Sequence, residues 1–222
     1  MPIGTAIAKG ARVILRTMSG QWQQIIKNNN ETFGEEIVLQ DLATYVPGLP
    51  PDVIEPHEKN LSILCQNYLR HQFNLLGSGW GEVKHGIQAL GFEGHKFSPS
   101  KIPLDILNLL NPGNRDRAKK IRTQISSDYI PIDWQLDFKS GYRWTESHIA
   151  SRLQYGHEPG VDIKVPWELA RLQHLPQLAV AYAAAHSDVE GFEEAAVYKS
   201  EFQNQALDFI AANPPGFGVN WF

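Results

Sequence analysis

The sequence has a single cysteine, Cys65, so no internal disulfide can form. The cysteine content therefore gives no indication of an oxidising compartment. Cys65 stands among Leu61, Leu64, Tyr68 and Leu69. We interpret it as a small buried apolar residue rather than a nucleophile, because a free cysteine in apolar surroundings usually behaves as a hydrophobe.

Long apolar runs are also missing. No stretch of about 18 apolar residues occurs, so the sequence predicts no membrane insertion. The first residues carry Lys9 and Arg12, with no apolar stretch and cleavage site after them, which does not fit a secretory signal. On these features alone we expect a cytoplasmic protein.

The local motifs of several common enzyme classes are absent. The chain lacks Gly-x-Ser-x-Gly, a P-loop, His-Glu-x-x-His and a cysteine pair. These absences argue against hydrolases with local signatures, nucleotide enzymes and zinc sites. His85 and His95 have no nearby Cys or Asp partner and are weak evidence for a metal. We therefore predict neither metal nor cofactor.

There is also no excess of positive charge. The net charge is −4 and the pI is about 6.1, values that argue against a general nucleic-acid partner. An acidic ligand remains compatible with this composition, because a cleft can be locally basic.

What the chain does contain is apolar spacing typical of helices. Three-to-four spacing and helix-ending residues predict helices over residues 5–28, 56–73, 101–110 and 190–212, and one that begins at Pro166 and is kinked or split at Pro176. The glycines between Leu76 and Gly81 predict a turn that presents Trp80, with phosphate binding a distant alternative. The favoured class is all-α, a stack of helical hairpins.

Two segments combine aromatic and charged residues. Residues 129–144 hold Trp134 and Trp144 with two aspartates and Arg143. This density fits either a connection packed onto the following helices or a sugar-binding surface. The basic run from Arg115 to Arg122 is interpreted as a solvated helix face, the alternative being a patch for an anionic polymer.

The second segment that combines aromatic and charged residues runs from Asp162 to Arg171. Glu168 and Arg171 would share one helix face, which fits a surface ion pair. Lys164 and Trp167 lie beside the predicted helix start, which fits an anionic ligand instead. His174 lies one helical turn after Arg171. Taken by itself, it is interpreted as a partly buried histidine whose ring nitrogens have hydrogen-bond partners.

Several long runs resemble the N-terminal region of heparinase II/III-like polysaccharide lyases, in particular the alginate-lyase subgroup. They are Tyr68-Leu-Arg-His-Gln-Phe-Asn-Leu-Leu-Gly-Ser-Gly-Trp80, Ile132-Asp-Trp134, Gly141-Tyr-Arg-Trp144, Asp162-Ile-Lys-Val-Pro-Trp-Glu-Leu-Ala-Arg171 and Asn213 to Trp221 with its Gly-Val-Asn-Trp motif. The resemblance covers residues 60 to 222.

The resemblance implies a partial (α/α) toroid of helical hairpins followed by β-sandwich domains. It also implies β-elimination of a polysaccharide that contains uronic acid. Such elimination needs a group that neutralises the C5 carboxylate, a base for the C5 proton and an acid for the leaving O4. The resemblance carries one catalytic residue onto this sequence, Asn220 as the neutraliser, because its amide can donate without being protonated.

The remaining expectations follow from that family. The expected groove for an acidic polysaccharide is lined by residues from four of these runs and by His174, which follows one of them: Trp134, Trp144, Lys164, Trp167, Glu168, Arg171, His174 and Trp221. Residues 1–55 are expected to form an N-terminal helix and Pro-rich loop, and residues 56–222 the partial toroid. The catalytic Tyr and His are expected beyond residue 222, so the chain alone is expected to be inactive.

Two alternatives stay open at this point. One is a non-catalytic binding or assembly protein for bacterial surface-polysaccharide synthesis. The other concerns the compartment, because degradative members of the family act in the periplasm or cell envelope. An unfinished toroid would also expose apolar helix faces and favour self-association.

Overall fold

The computed structural model describes residues 58–221. The predicted helix over 5–28 and the N-terminal segment 1–55 lie outside these residues. Helices dominate the described region, in agreement with the all-α class. The α-helices are α1 (Glu58–Tyr68), α2 (Arg115–Arg122), α3 (Lys164–Ala170), α4 (His174–His186) and α5 (Ala195–Ala212). None of the helices in this region is both long and apolar enough to cross a membrane.

Shorter elements connect these helices. Two short strands, β1 (Gln72–Phe73) and β2 (Gly81–Glu82), pair antiparallel and close a hairpin. Single 3-10 turns cover Ile106–Leu109, Pro112–Asn114, Ala150–Arg152 and Val219–Trp221. The predicted helix over 101–110 is wrong, because only the 3-10 turn that Asp105 caps is formed there. The predicted helix over 190–212 begins later, at Ala195.

The helix predicted from Pro166 onward is divided into α3 and α4. The division falls at Arg171–Gln173, where Leu172 adopts a left-handed backbone with φ of 55°. Pro176 lies in the first turn of α4. The backbone N–H groups of a first turn have no partner within the helix, so proline, which lacks this group, removes no hydrogen bond there. The predicted split therefore occurs, a few residues before the proline.

The core has two apolar clusters. One joins α1, α4 and α5 around Cys65, Leu178 and Tyr198. Cys65 is fully buried and burial raises the pKa of its thiol to about 12, which confirms that it is an unreactive core residue. The second cluster surrounds Trp134 and contains the irregular segment 132–138, every residue of which is buried.

Segment 132–138 is buried although its side chains alternate between apolar and polar. Asp208 on α5 satisfies the first part of it: its carboxylate accepts hydrogen bonds from the backbone N–H of Ile132 at 3.0 Å, from Trp134 Nε1 at 2.9 Å and from Arg122 Nη2 at 2.9 Å. Burial raises the pKa of Asp208, although Arg122 and the two N–H donors oppose that rise.

A second buried ionic cluster holds the rest of the segment. Arg143 donates to Asp133 Oδ2 at 2.8 Å and to Glu146 Oε1 at 2.7 Å, and His85 Nδ1 lies 3.3 Å from the same Asp133 oxygen. Burial alone would raise the pKa of Asp133, but His85 and Arg143 outweigh it, so this pKa lies below its ordinary value. Burial likewise acts to lower the pKa of Arg143, and the two carboxylates raise it overall.

Candidate functional site

The two segments that carry the strongest sequence motifs meet in the structure. Helix α3 packs against the 3-10 turn Val219–Trp221. Trp167 Nε1 donates to the carbonyl of Val219 at 2.8 Å, and Trp221 Nε1 donates to the carbonyl of Asn213 at 3.0 Å. Trp167, Asn220 and Trp221 are therefore neighbours, although 54 positions separate the first from the last in the numbering.

Three amide side chains form the centre of this contact, which we call the amide junction: Gln135, Asn213 and Asn220. Asn213 Oδ1 accepts from Gln135 Nε2 at 2.8 Å and from Asn220 Nδ2 at 2.7 Å. Gln135 Oε1 accepts from the backbone N–H of Val219 at 2.8 Å. A Cβ on Gly218, whose φ is 74°, would lie 2.7 Å from that oxygen, so the turn requires glycine both for conformation and for space.

Asn220 is half-buried and uses both of its N–H groups within the protein. Besides Asn213 Oδ1, its Nδ2 donates to the carbonyl of Trp134 at 2.9 Å. Its own Oδ1 is buried and has no hydrogen-bond partner among residues 58–221. An amide in this state holds the junction together, and it can donate to a sugar carboxylate only after giving up one of these bonds.

Trp134, Trp144 and His174 are located in the interior, which corrects their assignment as substrate-binding residues. The two indoles are 1% and 4% exposed, and their N–H groups donate to Asp208 and to the carbonyl of Gln154. His174 is 5% exposed and its Nε2 lies 2.6 Å from Gln205 Oε1. Because their surfaces are covered by packing, none of the three offers a face to a ligand in this structure.

The other predicted residues are accessible. Lys164 is exposed at the start of α3, and Trp221 is about half exposed. Arg171 Nη2 lies 3.4 Å from Glu168 Oε1, which confirms that the two side chains share a helix face. That pair lies at the surface, where ion pairs contribute about 0–1 kcal/mol.

A groove that the sequence did not predict lies beside α5, and we call it the histidine groove. It encloses about 580 Å³, and nine of the thirteen residues that line it have polar or charged side chains. The side chains that carry charge or a titratable hydrogen there are Arg70, His71, Glu82, Lys84, Asp128, Tyr129 and Glu201.

His71 is the most constrained residue of this groove. Its Nε2 lies 2.8 Å from Glu201 Oε1, and its ring meets the edge of Tyr129 with centroids 5.0 Å apart. Its backbone φ is 50°, a left-handed conformation that is uncommon for a residue other than glycine. Leu76, Glu93, Leu172 and Asp188 have the same conformation, so the backbone alone does not distinguish His71 as a functional residue.

Glu201 links His71 to the interior. Its Oε1 also accepts from Gln205 Nε2 at 2.6 Å, and Gln205 Oε1 in turn faces His174 Nε2. Burial lowers the pKa of His174 to about 4, and His71 adds to the lowering, while Gln205 opposes it. His174 is therefore neutral near pH 7 and donates its Nε2 hydrogen to Gln205.

Tyr129 remains a phenol at neutral pH. Burial, followed by the negative charges of Asp208 and Glu201, raises the pKa of Tyr129 well above its ordinary range. A tyrosine in this state can donate a hydrogen bond, but it gives up its proton less readily than an ordinary tyrosine and is not a base. Within residues 58–221, no three His, Cys, Asp or Glu side chains are grouped as a metal site would need.

The state of His174 predicts a pH dependence of stability. The pKa of His174 is about 4 in the folded protein and 6.5 in an ordinary environment, so the unfolded chain binds the proton more readily. His174 makes its full contribution to the free energy of unfolding above pH 6.5. This contribution, about 3 kcal/mol, is lost as the pH falls toward 4. Urea unfolding between pH 7.5 and 4 measures the change in the free energy of unfolding. His174→Gln should flatten that part of the curve, and an unchanged slope in this variant would contradict the assignment.

No protein-family model matches the chain, and neither a curated protein nor a solved structure is significantly similar to it.

Proposed function

We propose that residues 58–221 are the acidic-glycan-binding, helical part of a lyase that cleaves polysaccharides containing uronic acid. In this proposal the helices are part of an incomplete (α/α) toroid, as the resemblance implies. The observation that carries the proposal is the convergence of the separate motif runs: Asp162–Arg171, Ile132–Trp134 and Asn213–Trp221 all meet at the amide junction. Sequence motifs that contribute to one binding site are expected to lie close together in the structure, as these three runs do.

The histidine groove contains charges of both signs. Arg70 and Lys84 are the cations on its wall, and Glu82, Asp128 and Glu201 are the carboxylates. Lys84 pairs with Glu82 at 2.7 Å, and Glu201 lies 2.8 Å from His71. Arg70 is exposed and forms no salt bridge among residues 58–221, so in this proposal it binds a carboxylate of the glycan.

The reaction itself is an elimination. A base removes the proton at C5, the C4–O4 bond breaks, and the electron pair of the C5–H bond becomes the C4–C5 double bond. The leaving O4 takes a proton from an acid. A donor at the uronate carboxylate lowers the barrier, since negative charge accumulates there when C5 loses its proton. Asn220 is our proposal for that donor.

One observation favours the alternative, a non-catalytic acidic-glycan-binding or assembly protein. Both N–H groups of Asn220 are used inside the protein. A protein that only binds glycan would need no free donor at this position, and the same helical surface would serve it.

Measurements of glycan binding and of elimination test the lyase proposal and the non-catalytic alternative. The 222-residue chain should bind alginate or unsulfated heparosan in affinity electrophoresis and leave neutral dextran unbound, with retardation that weakens as salt is added. A rise in ultraviolet absorbance from unsaturated uronate would support the lyase. Because the 222 residues alone are expected to be inactive, binding without that product favours the non-catalytic alternative only when the full-length gene product is assayed. Migration unaffected by any acidic polymer would contradict the proposal in both forms.

A further inference from the structure

We propose that a cleft next to the β1–β2 hairpin is a binding subsite for one uronate residue of such a glycan. We call it the tryptophan cleft. It encloses about 380 Å³, within the usual range of roughly 300–1,000 Å³ for small-ligand pockets. The side chains that define it are Trp80, Glu82, Lys84, Phe92, Phe138 and Lys139. This inference rests on the proposed function for the class of ligand.

Two aromatic rings line the cleft and remain partly exposed. Trp80 is 43% exposed and Phe92 is 36% exposed. Large aromatic side chains usually bury their faces, so two open rings in one concavity are unusual for a surface without a ligand. The faces of indole and phenyl rings fit the C–H side of a pyranose.

The hairpin turn holds Trp80 at the mouth of the cleft. Gly77 and Gly79 have φ of 71° and 68°, and a Cβ on either would meet open space. These glycines are therefore needed for the path of the backbone and not for packing. The Ser78 hydroxyl accepts from the N–H of Leu75 at 3.0 Å and donates to the carbonyl of Gly79 at 2.6 Å, which fixes the turn. The ring is thus presented to solvent by a defined local structure.

A third ring forms the floor. Phe138 is 5% exposed and packs against the backbone of Gly81. A Cβ at Gly81 would lie 3.1 Å from Phe138 Cδ2, closer than ordinary van der Waals contact. Glycine at this position lets the floor ring approach the β2 backbone, and this keeps the cleft as deep as it is.

The charges of the cleft suit a single carboxylate. Lys84 Nζ is paired with Glu82 at 2.7 Å, so these two charges offset one another. Lys139 Nζ lies 4.0 Å from the centroid of Phe92 and 3.4 Å from the carbonyl of Leu76. Among the described residues, no carboxylate pairs with it. The cleft therefore keeps one net positive charge beside the aromatic rings.

The position of the cleft also fits a polymer. Glu82 and Lys84 line both the tryptophan cleft and the histidine groove, so the two concavities are adjacent. In this proposal a glycan chain bound in the histidine groove extends past Lys84 toward Trp80. The two aromatic faces and the Lys139 ammonium would then recognise that sugar and its carboxylate.

Isothermal titration of the 222-residue chain with an alginate trisaccharide tests the subsite. Trp80→Ala and Lys139→Gln should each weaken binding about tenfold, because each removes a ring face or a charge-assisted hydrogen bond. Trp80→Phe should restore part of the affinity, and it guards against misfolding of the alanine variant. Tyr155→Ala and Lys199→Gln, an exposed ring and an exposed lysine outside the cleft, should leave binding unchanged.

Neutral cellotriose is the comparison that separates ring stacking from charge recognition. Lys139→Gln should not change its weak binding, whereas Trp80→Ala should. Parent-like affinity of both cleft variants for the alginate trisaccharide would overturn the subsite while leaving the proposed function intact. Equal affinity of the parent for cellotriose and the acidic trisaccharide would overturn the uronate assignment. A parent chain that binds neither sugar would contradict the subsite and the proposed function together.

Discussion

Replacement of Asp208 by alanine should lower the free energy of unfolding by about 3–5 kcal/mol, since it breaks a buried charged network. The carboxylate is 0% exposed and accepts from three donors, the Ile132 backbone, Trp134 and Arg122. Alanine leaves all three without a partner in the interior, and it leaves the Arg122 charge uncompensated. Urea denaturation followed by tryptophan fluorescence measures the loss, and Trp134 is one of the six tryptophans that contribute to the signal.

Two further variants test whether the loss of stability in Asp208→Ala comes from its buried hydrogen bonds. Asp128→Ala removes an exposed aspartate four residues before segment 132–138 and should change stability by less than about 0.5 kcal/mol. Asp208→Asn keeps one acceptor oxygen and should fall between the alanine variant and the parent. If the alanine variant unfolds at the urea concentration of the parent, Asp208 does not anchor segment 132–138.

Arg143→Leu should have an effect of similar size, about 3–5 kcal/mol. The guanidinium side chain is 8% exposed and lies between Asp133 and Glu146, whose side chains are 2% and 4% exposed. Removing the cation leaves two buried carboxylates close together without a neutralising partner other than His85. The pKa of Asp133, now below its ordinary value, should rise in the variant, so the loss of stability should shrink as the pH is lowered.

A surface ion pair on α3 provides the matched comparison. Arg171→Leu breaks the exposed Glu168–Arg171 contact and should cost no more than about 1 kcal/mol. Arg143→Lys keeps the charge but loses the fork that reaches both carboxylates, and it should be intermediate. Equal, small losses for Arg143→Leu and Arg171→Leu would show that the buried cluster contributes no more than an exposed pair.

The local features of this chain were predictable because the sequence determines them locally. Apolar spacing places α1, α4 and α5, and the glycines after Leu75 place the turn that presents Trp80. The Glu168–Arg171 pair follows from helix geometry alone. Residues 101–110 have helix-like spacing, but only Leu110 among them is buried and only one 3-10 turn forms.

The candidate sites could not be predicted from local sequence, because the side chains that form hydrogen bonds in them are far apart in the chain. His71 and Glu201 are separated by 130 positions, and no periodicity relates them. Asp133, Gln135 and Asp137 alternate with apolar residues, a pattern that normally leaves polar side chains exposed. All three are buried because Arg143, Asn213 and Ser140 satisfy them. The assignment of Trp134 to a ligand surface was wrong for the same reason, since its partner Asp208 lies on α5.

The interior position of segment 132–138 has a consequence for how the polypeptide is made. Ile132 leaves the ribosome 76 residues before Asp208, and Gln135 leaves it 78 residues before Asn213. During that interval the N–H groups of Ile132 and Trp134 and the side chain of Gln135 can be hydrated but not paired with these partners. The native burial of this stretch must therefore wait until α5 and the turn after it have been synthesised, because these two elements supply its missing hydrogen-bond partners.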